Sequence, residues 1–355
     1  MWSIDRIQFG IMIRRRRSRL VPVVIALVIA GCAGDEGAKP VSPPDSASAS
    51  SQTSTAPVDT AAPSTSTTPS TSLAPTTTAS PEPEWSLGEI TPLGIEGVSP
   101  EIVQRADGSF LLLVTGPSGG AYSSSDGLGF TRDASVPLPQ GADYSLLQTS
   151  DGTWRLYYIE FEPIGGVTPG QPPDPNNVLK VVKVSSAPGL DGFGPGQPTG
   201  IAQSEPSPAW GVPDTYALPD GRTAMMYVDR GKRDENILLA TSTDGVTFAV
   251  EPEPVFTGGY VDPYVIELDD GSYAALLSTT PGRPPQRLHL ATSSDGLTWT
   301  VDDEPFLVDE RIGYLDPAAV PIGPGEWLLV ISVAEGDPIE GTHELVVTRL
   351  LRTTG

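Results

Sequence analysis

One cysteine and two histidines in 355 residues remove several chemistries at once. Cys32 alone can build neither a disulfide framework within the chain nor a cysteine zinc site. His289 and His343 leave little for a histidine-dependent nucleophile or a metal centre. Basic residues are scarce too: 21 Lys and Arg stand against 44 Asp and Glu, a net charge of −23. Six of the basic residues and one of the acidic ones precede Cys32, so the rest carries 15 basic against 43 acidic, a net of −28. A surface that acidic repels polyanions, which argues against nucleic acid as a partner. Helical periodicity is almost absent. The apolar runs, such as Phe110 to Val114, Thr223 to Val228 and Trp327 to Val333, are short and rich in aromatic and β-branched residues, as strands are.

What the chain does have is a repeat. Residues 260–300 open with Asp262-Pro263, run through an apolar strand and turn at Asp270-Gly271. A second strand follows, then a Pro/Gly/Arg loop and a third strand from Leu288 to Thr292, which turns at Asp295-Gly296 into a short fourth strand carrying Trp299. Asp-Gly between apolar runs is a strong hairpin signal, because both turn positions require positive φ. Superimposing the Asp-Gly pairs at 107, 151, 220 and 270, with Gly325 in the fifth copy, gives five strand starts, at 99, 143, 212, 262 and 316. Ser-x-Asp-Gly turns recur at Ser124, Ser242 and Ser293, each followed by an aromatic, with a weaker copy at Asp191-Gly192-Phe193.

Five units of four antiparallel strands predict an all-β, five-bladed β-propeller. The fifth unit lacks its last strand. The spacing of Trp85 before Ser99 matches that of Phe248 before Asp262, so residues 85–93 are expected to supply that strand and close the ring.

Ahead of this domain, Arg14 to Arg17 and Arg19 form a basic stretch. Leu20 to Ala30 form an apolar one, shorter than a typical membrane span. The ending Ile29-Ala30-Gly31-Cys32 resembles a bacterial lipobox. It implies a signal peptide over 1–31, with Met12 as an alternative start, lipidation at Cys32 and an extracytoplasmic protein anchored to the cell membrane through lipid alone. Residues 32–84 are rich in Ser, Thr, Pro and Ala and too poor in large apolar groups to offset their ordering entropy. They read as a disordered tether that reaches roughly 40 Å as a flexible coil. The folded domain is then 85–355, expected to be monomeric.

Propeller geometry puts the inner-strand starts and the loops between second and third strands on one face. Asp143, Asp262 and Asp316 should therefore converge at the mouth of the central funnel, with Glu101 and Asp214 near them. Glu160, Asp229 and Arg230 should come from the loops around it. Crowded carboxyl groups raise at least one pKa, as a general acid needs. Tyr260, Tyr314 and Trp210 are expected ligand-stacking groups or funnel walls. Each Asp has an alternative duty, capping backbone N–H groups at its strand entry. No cofactor is required, although the ring could hold a central cation such as calcium through oxygen ligands.

The Asp-Pro starts at 262 and 316, degenerate at Ser99-Pro100, and the Ala-Thr-Ser-x-Asp-Gly-x-Thr-[Phe/Trp] hairpins at 240–248 and 291–299 resemble those of the five-bladed propeller glycosidases, glycoside hydrolase family 43 and its fructosidase relatives. The hairpin motif also resembles a shortened sialidase Asp-box. The resemblance implies an arabinose-, xylose- or fructose-type glycan and three working carboxylates, drawn here from Asp143, Asp214 and Asp262, with Glu101 or Glu160 as acid. The family's first-blade Asp is Ser99 in this chain, and its Glu acid has no clear counterpart. The expected function is therefore binding of a carbohydrate or envelope glycan at the mouth without a full catalytic set, the alternative being an active glycoside hydrolase.

Overall fold

The computed structural model describes residues 84–164, 178–204, 210–230, 235–335 and 341–353. The expected signal, Cys32 and nearly all of the tether lie outside these residues, as do residues 165–177, in the segment that follows Glu160, and the side chain of Arg230. Every regular element among the described residues is a strand.

Two short strands, β1 (Glu84–Leu87) and β2 (Thr91–Glu96), come first. Blade one follows with β3 (Val98–Gln104), β4 (Phe110–Thr115), β5 (Gly120–Ser124) and β6 (Thr131–Arg132). Blade two is β7 (Ala142–Gln148), β8 (Trp154–Pro163), β9 (Val178–Ala187) and β10 (Gln197–Ala202). Blade three is β11 (Gly211–Ala217), β12 (Thr223–Arg230), β13 (Glu235–Ser242) and β14 (Ala249–Val250). Blade four is β15 (Tyr260–Glu267), β16 (Tyr273–Thr279), β17 (Leu288–Ser293) and β18 (Thr300–Val301). Blade five has β19 (Ile312–Gly323), β20 (Glu326–Glu335) and β21 (His343–Thr353).

Each blade is an antiparallel meander. The first strands β3, β7, β11, β15 and β19 touch in that cyclic order, and β19 returns to β3. The five sheets are therefore radial around an axis, as the repeat predicts.

The closing strand comes from the N-terminus in two pieces. β1 pairs with the end of β21, Trp85 opposite Arg352, and β2 pairs with its beginning, Thr91 opposite Val347. Gly88 N donates to Arg349 O between them. The outer strand thus runs three residues past the expected 93 and is broken in the middle. Trp85 packs against Trp327 of blade five, with ring centroids 5.6 Å apart, and carries the Arg352 guanidinium over its face. Pairing here covers an edge that would otherwise offer unpaired N–H and C=O groups to another chain.

The core is five wedges, one in each seam between neighbouring blades. The wedge between blades five and one contains Ile95 of β2, Ile102, Leu112 and Val330. A fully buried aliphatic side chain of this size contributes about 1.5–3 kcal/mol, so each seam is held by apolar area as well as by the ladders within its blades.

If β2 seals the last seam, Ile95→Ala should cost about 2–4 kcal/mol, whereas Leu128→Ala, on an exposed turn, should change stability by less than about 0.5 kcal/mol. Thermal unfolding of the two variants beside the parent checks this; equal effects would mean that the N-terminal strand is peripheral.

Candidate functional site

The five strand starts share one backbone feature. Ser99, Asp143, Val212, Asp262 and Asp316 are the non-glycine residues of positive φ among those described, all between 46 and 50°. In each blade the first strand gains one residue on its partner at this point, for example between Val98 and Glu101 against Thr115 and Leu113. Such a bulge re-aims side chains. Asp tolerates the left-handed region better than most residues, while β-branched Val212 is strained there.

The bulges create two belts around the axis. In the upper belt a side chain of one blade accepts the N–H of the next blade's bulge residue. Thr115 Oγ1 accepts from Asp143 N at 2.9 Å, and Asp143 Oδ2 accepts from Val212 N at a long 3.4 Å. The Asp262 carboxyl lies toward the Asp316 N–H and the Asp316 carboxyl toward the Ser99 N–H, and each of these contacts favours the ionised carboxylate. Between blades three and four neither Val212 nor Val228, which stands at the register of Thr115, has an acceptor to offer, and that seam lacks its link.

The lower belt uses the residue two positions further on. Glu101 Oε1 accepts from Leu146 N at 3.0 Å, Ser145 Oγ from Thr215 N at 3.0 Å and Asp214 Oδ2 from Val265 N at 2.8 Å. Tyr264 donates its hydroxyl to Ala319 O at 2.8 Å. At the fifth position stands Ala318, fully buried against Ile102 and Val330. Between the belts the axis leaves a cavity of about 20 Å³, lined by Ser99, Glu101, Asp143, Asp214, Asp262 and Asp316 among others. That is room for one water molecule.

Burial dominates the electrostatics. It pushes the Asp214 carboxyl up to about 8, against the opposing pull of the Val265 and Thr215 N–H groups. Glu101 is raised well above the carboxylate range by burial and then by the Asp214 charge. Asp262 and Asp316 are both raised chiefly by burial; the Asp262 and Asp143 charges raise Asp316 further, whereas Asp262 is raised by the Asp143 charge and lowered by its contacts with Asp316. Low-dielectric surroundings disfavour the charged form more than one or two N–H donors favour it.

Above the belts a pocket of about 500 Å³ opens at the mouth, over the seam that lacks the upper link. Asp143, Asp262 and Val212 form part of its floor, and Trp210, Lys180 and Glu235 stand around it. Lys180 Nζ donates to Trp210 O at 2.6 Å, its pKa lowered by burial despite the Asp143 carboxylate nearby. Glu235 Oε2 accepts from Thr280 Oγ1 at 2.7 Å. Trp210 is buried against Tyr227, with centroids 5.7 Å apart.

Of the residues expected at this site, Asp143, Asp262, Asp316, Glu101 and Asp214 do converge on the axis, and Trp210 reaches the mouth. Glu160 does not. β8 continues through it to Pro163, where it pairs with Lys183 Nζ at 2.9 Å and lines a separate cavity beside Phe161 and Phe193. Tyr260 packs edge-on against His289 and Phe256, and Tyr314 is buried in the wedge between blades four and five. Asp229 sits in the β12–β13 ladder opposite Asn236 rather than in a mouth loop. Lys180, Glu235, Ser145 and Tyr264 were not expected. The first two begin or nearly begin third strands, so the rule that placed the mouth loops could have reached them. Among the described residues, no three His, Cys, Asp or Glu side chains are arranged to share a metal ion.

No protein-family model and no curated protein matches the chain. Solved structures do resemble it. A thermostable family-43 glycoside hydrolase aligns over 74% of this chain and 95% of its own, with a TM-score of 0.55 and 13% identity. An endo-arabinase from Bacteroides thetaiotaomicron aligns over 74% and 96%, at 0.50 and 14%. A xylan β-1,4-xylosidase from Bacillus halodurans aligns over 72% of this chain but only 53% of its own, at 0.51 and 16%. The likeness is one of fold, the five-bladed propeller.

The buried carboxyls set a pH dependence. A carboxyl whose folded pKa lies above its unfolded value stabilises the fold fully below the unfolded pKa and loses that contribution as pH rises through the folded one. For Asp214 this window runs from about pH 4 to about 8. Turn carboxylates such as Asp151 and Asp244, lowered to about 2, act with the opposite sign and only at lower pH. Unfolding temperature should therefore fall between pH 5 and pH 8, and Asp214→Asn, which keeps an oxygen for Val265 N without a charge, should flatten that fall. A stability that rises over this range would contradict the assignment.

Proposed function

We propose that this protein is a carbohydrate-binding propeller held at the cell envelope by a lipid on Cys32, taking a neutral glycan at its mouth without cleaving it. The observation that carries this reading is the use made of the axial carboxyls. Glu101 and Asp214 each accept a neighbouring blade's N–H, and Asp316 lies toward that of Ser99, around a cavity fit for one water. Glycoside hydrolysis needs two carboxyl groups about 5–10 Å apart across an open pocket, free to exchange protons with the ligand. Groups committed to backbone donors below the pocket floor do not meet that need.

The mouth suits binding. Its volume is in the range of small-ligand sites, and it combines apolar walls with a few charged hydrogen-bonding groups, Lys180, Glu235 and Asp143. An indole edge and valine side chains offer the apolar face that a sugar ring needs, and the flanking groups take its hydroxyls. The likeness of fold to a family-43 glycoside hydrolase, an endo-arabinase and a xylosidase makes arabinose- and xylose-type glycans the first ligands to test, with fructans beside them.

One observation favours the second reading, hydrolysis. Asp143 and Asp262 both face the mouth, and burial holds the Asp262 proton well above the usual carboxylate range. The full chain, incubated with arabino- and xylo-oligosaccharides and with fructans, separates the two. Binding by ligand-observed NMR without product supports the first, with affinity lowered about tenfold in Lys180→Met. Turnover that disappears in Asp262→Asn establishes the second instead, and neither binding nor turnover would defeat both. For the anchor, Cys32→Ser should move the protein from the membrane fraction to the medium; retention in the membrane would contradict lipidation.

A further inference from the structure

On the face opposite the mouth, the Ser-x-Asp-Gly turns seal the seams between blades. The Asp of each turn accepts two following N–H groups, as Asp244 does from Val246 and Thr247, both at 2.8 Å. This presents a positive-φ glycine to the preceding blade. Gly245 abuts Arg155 of blade two with no room for a Cβ, and Tyr157 donates its hydroxyl to Gly245 O at 2.7 Å. Gly296 is pressed in the same way onto Leu218 and Tyr216 of blade three, and Tyr216 donates to its carbonyl at 2.8 Å. Gly127 meets Leu328 of blade five.

Blade two breaks the pattern. Counting back three residues from its aromatic, Phe193, puts Leu190 where blades one, three and four have glycine, Gly189 where they have Asp and Ala187 where they have Ser. Without the glycine the turn cannot tuck under blade one. The seam between blades one and two opens instead into a cleft of about 590 Å³, bounded by Gln104 and Arg105 on one side and by Gln148, Trp154 and Leu190 on the other.

The lining selects a ligand class. Arg105 is held by Ser123 Oγ at 2.7 Å and by Asp133 Oδ2 at 2.9 Å, so its charge is already matched. Asp107 and Asp191 then leave the cleft negative, which disfavours phosphates, uronates and other anions. Two glutamine side chains, each exposed and lying at the end of an inner strand, flank the half-buried Trp154. An indole with amides and carboxylates beside it suits a neutral polyhydroxylated ring, whose apolar face covers the indole while its hydroxyls meet the polar groups.

We propose that this cleft is a second carbohydrate site, taking a neutral pyranose with its apolar face on Trp154. It stands on different residues and a different face from the mouth. Two glycan contacts on opposite sides of one disc would let a single chain bridge two glycan strands, with an avidity beyond either contact.

The test is fluorine NMR of the full chain carrying 5-fluorotryptophan, with the Trp154 signal identified by its loss in Trp154→Phe. Cellohexaose and xylohexaose are titrated, with hexagalacturonate and hexalysine as controls. The Trp154 signal should shift and saturate with a neutral hexasaccharide by about 10 mM and stay still with either charged oligomer. Gln148→Ala, a surface change, and the rebuilt turn, Gly189→Asp with Leu190→Gly, should each weaken that response at least about fivefold. Trp210 reports the mouth separately, so failure at one site is readable apart from the other. A Trp154 signal that no neutral sugar moves, or that moves with hexalysine alone, overturns the proposal.

Discussion

The structure depends on side chains that cross from one blade to the next at the axis and hold a backbone N–H there. A propeller blade buries its apolar faces against two neighbours, but its inner strand has a free edge pointing at the axis, where water is nearly absent. Donors in such a place are costly to leave unpaired. The bulge at each strand start turns one residue into the left-handed region, and at Asp143, Asp262 and Asp316 it points a carboxyl toward the following strand. Asp at three of the five positions suits both requirements: it tolerates the conformation, and it supplies an acceptor.

The same arrangement constrains chemistry. A carboxyl that stitches two blades together is buried, and burial holds its proton at a pH where free carboxyls have lost theirs. That looks like the preparation of a general acid, yet the group faces backbone rather than open space. The proposed sugar site lies where the upper belt is interrupted. Val212 has no acceptor, the seam from blade three to blade four lacks its upper link, and the mouth pocket lies above that point with Asp143 and Asp262 in its floor. On the other face a second interruption, the lost turn glycine of blade two, opens a second cleft. In both places a departure from the repeat leaves a cavity.

Much of this was legible in the chain. Aligning Asp-Gly pairs located five strand starts, and all five carry the positive φ, because hairpin length and bulge position are fixed relative to each other within a blade. Trp85 announced the closing strand through its spacing alone, although the break at Gly88 and the extension to Glu96 depend on contacts with β21. Glu101 and Asp214 were readable as axial residues, but not as members of one belt. Its other members are Ser145 and Tyr264, and a position filled by Glu, Ser, Asp, Tyr and Ala shows no pattern in one sequence. Glu160 was misplaced for a related reason: its segment is rich in turn-forming residues, while cross-strand pairing with Lys183 and Val181 carries β8 through it. Lys180 escaped notice because a lone basic residue at a strand start has no motif, and its importance comes from the Trp210 carbonyl thirty residues away in sequence.

Native-state hydrogen exchange tests the central claim most directly. The amides of Leu146, Thr215 and Val265 donate to side chains of the preceding blade, not to a ladder within their own. If the belts hold the ring together, these three should exchange as slowly as the central ladder amides of β12 and β16, and only through global unfolding. Exchange orders of magnitude faster than those ladders, through local opening at the axis, would show that apolar wedges alone hold the blades in place.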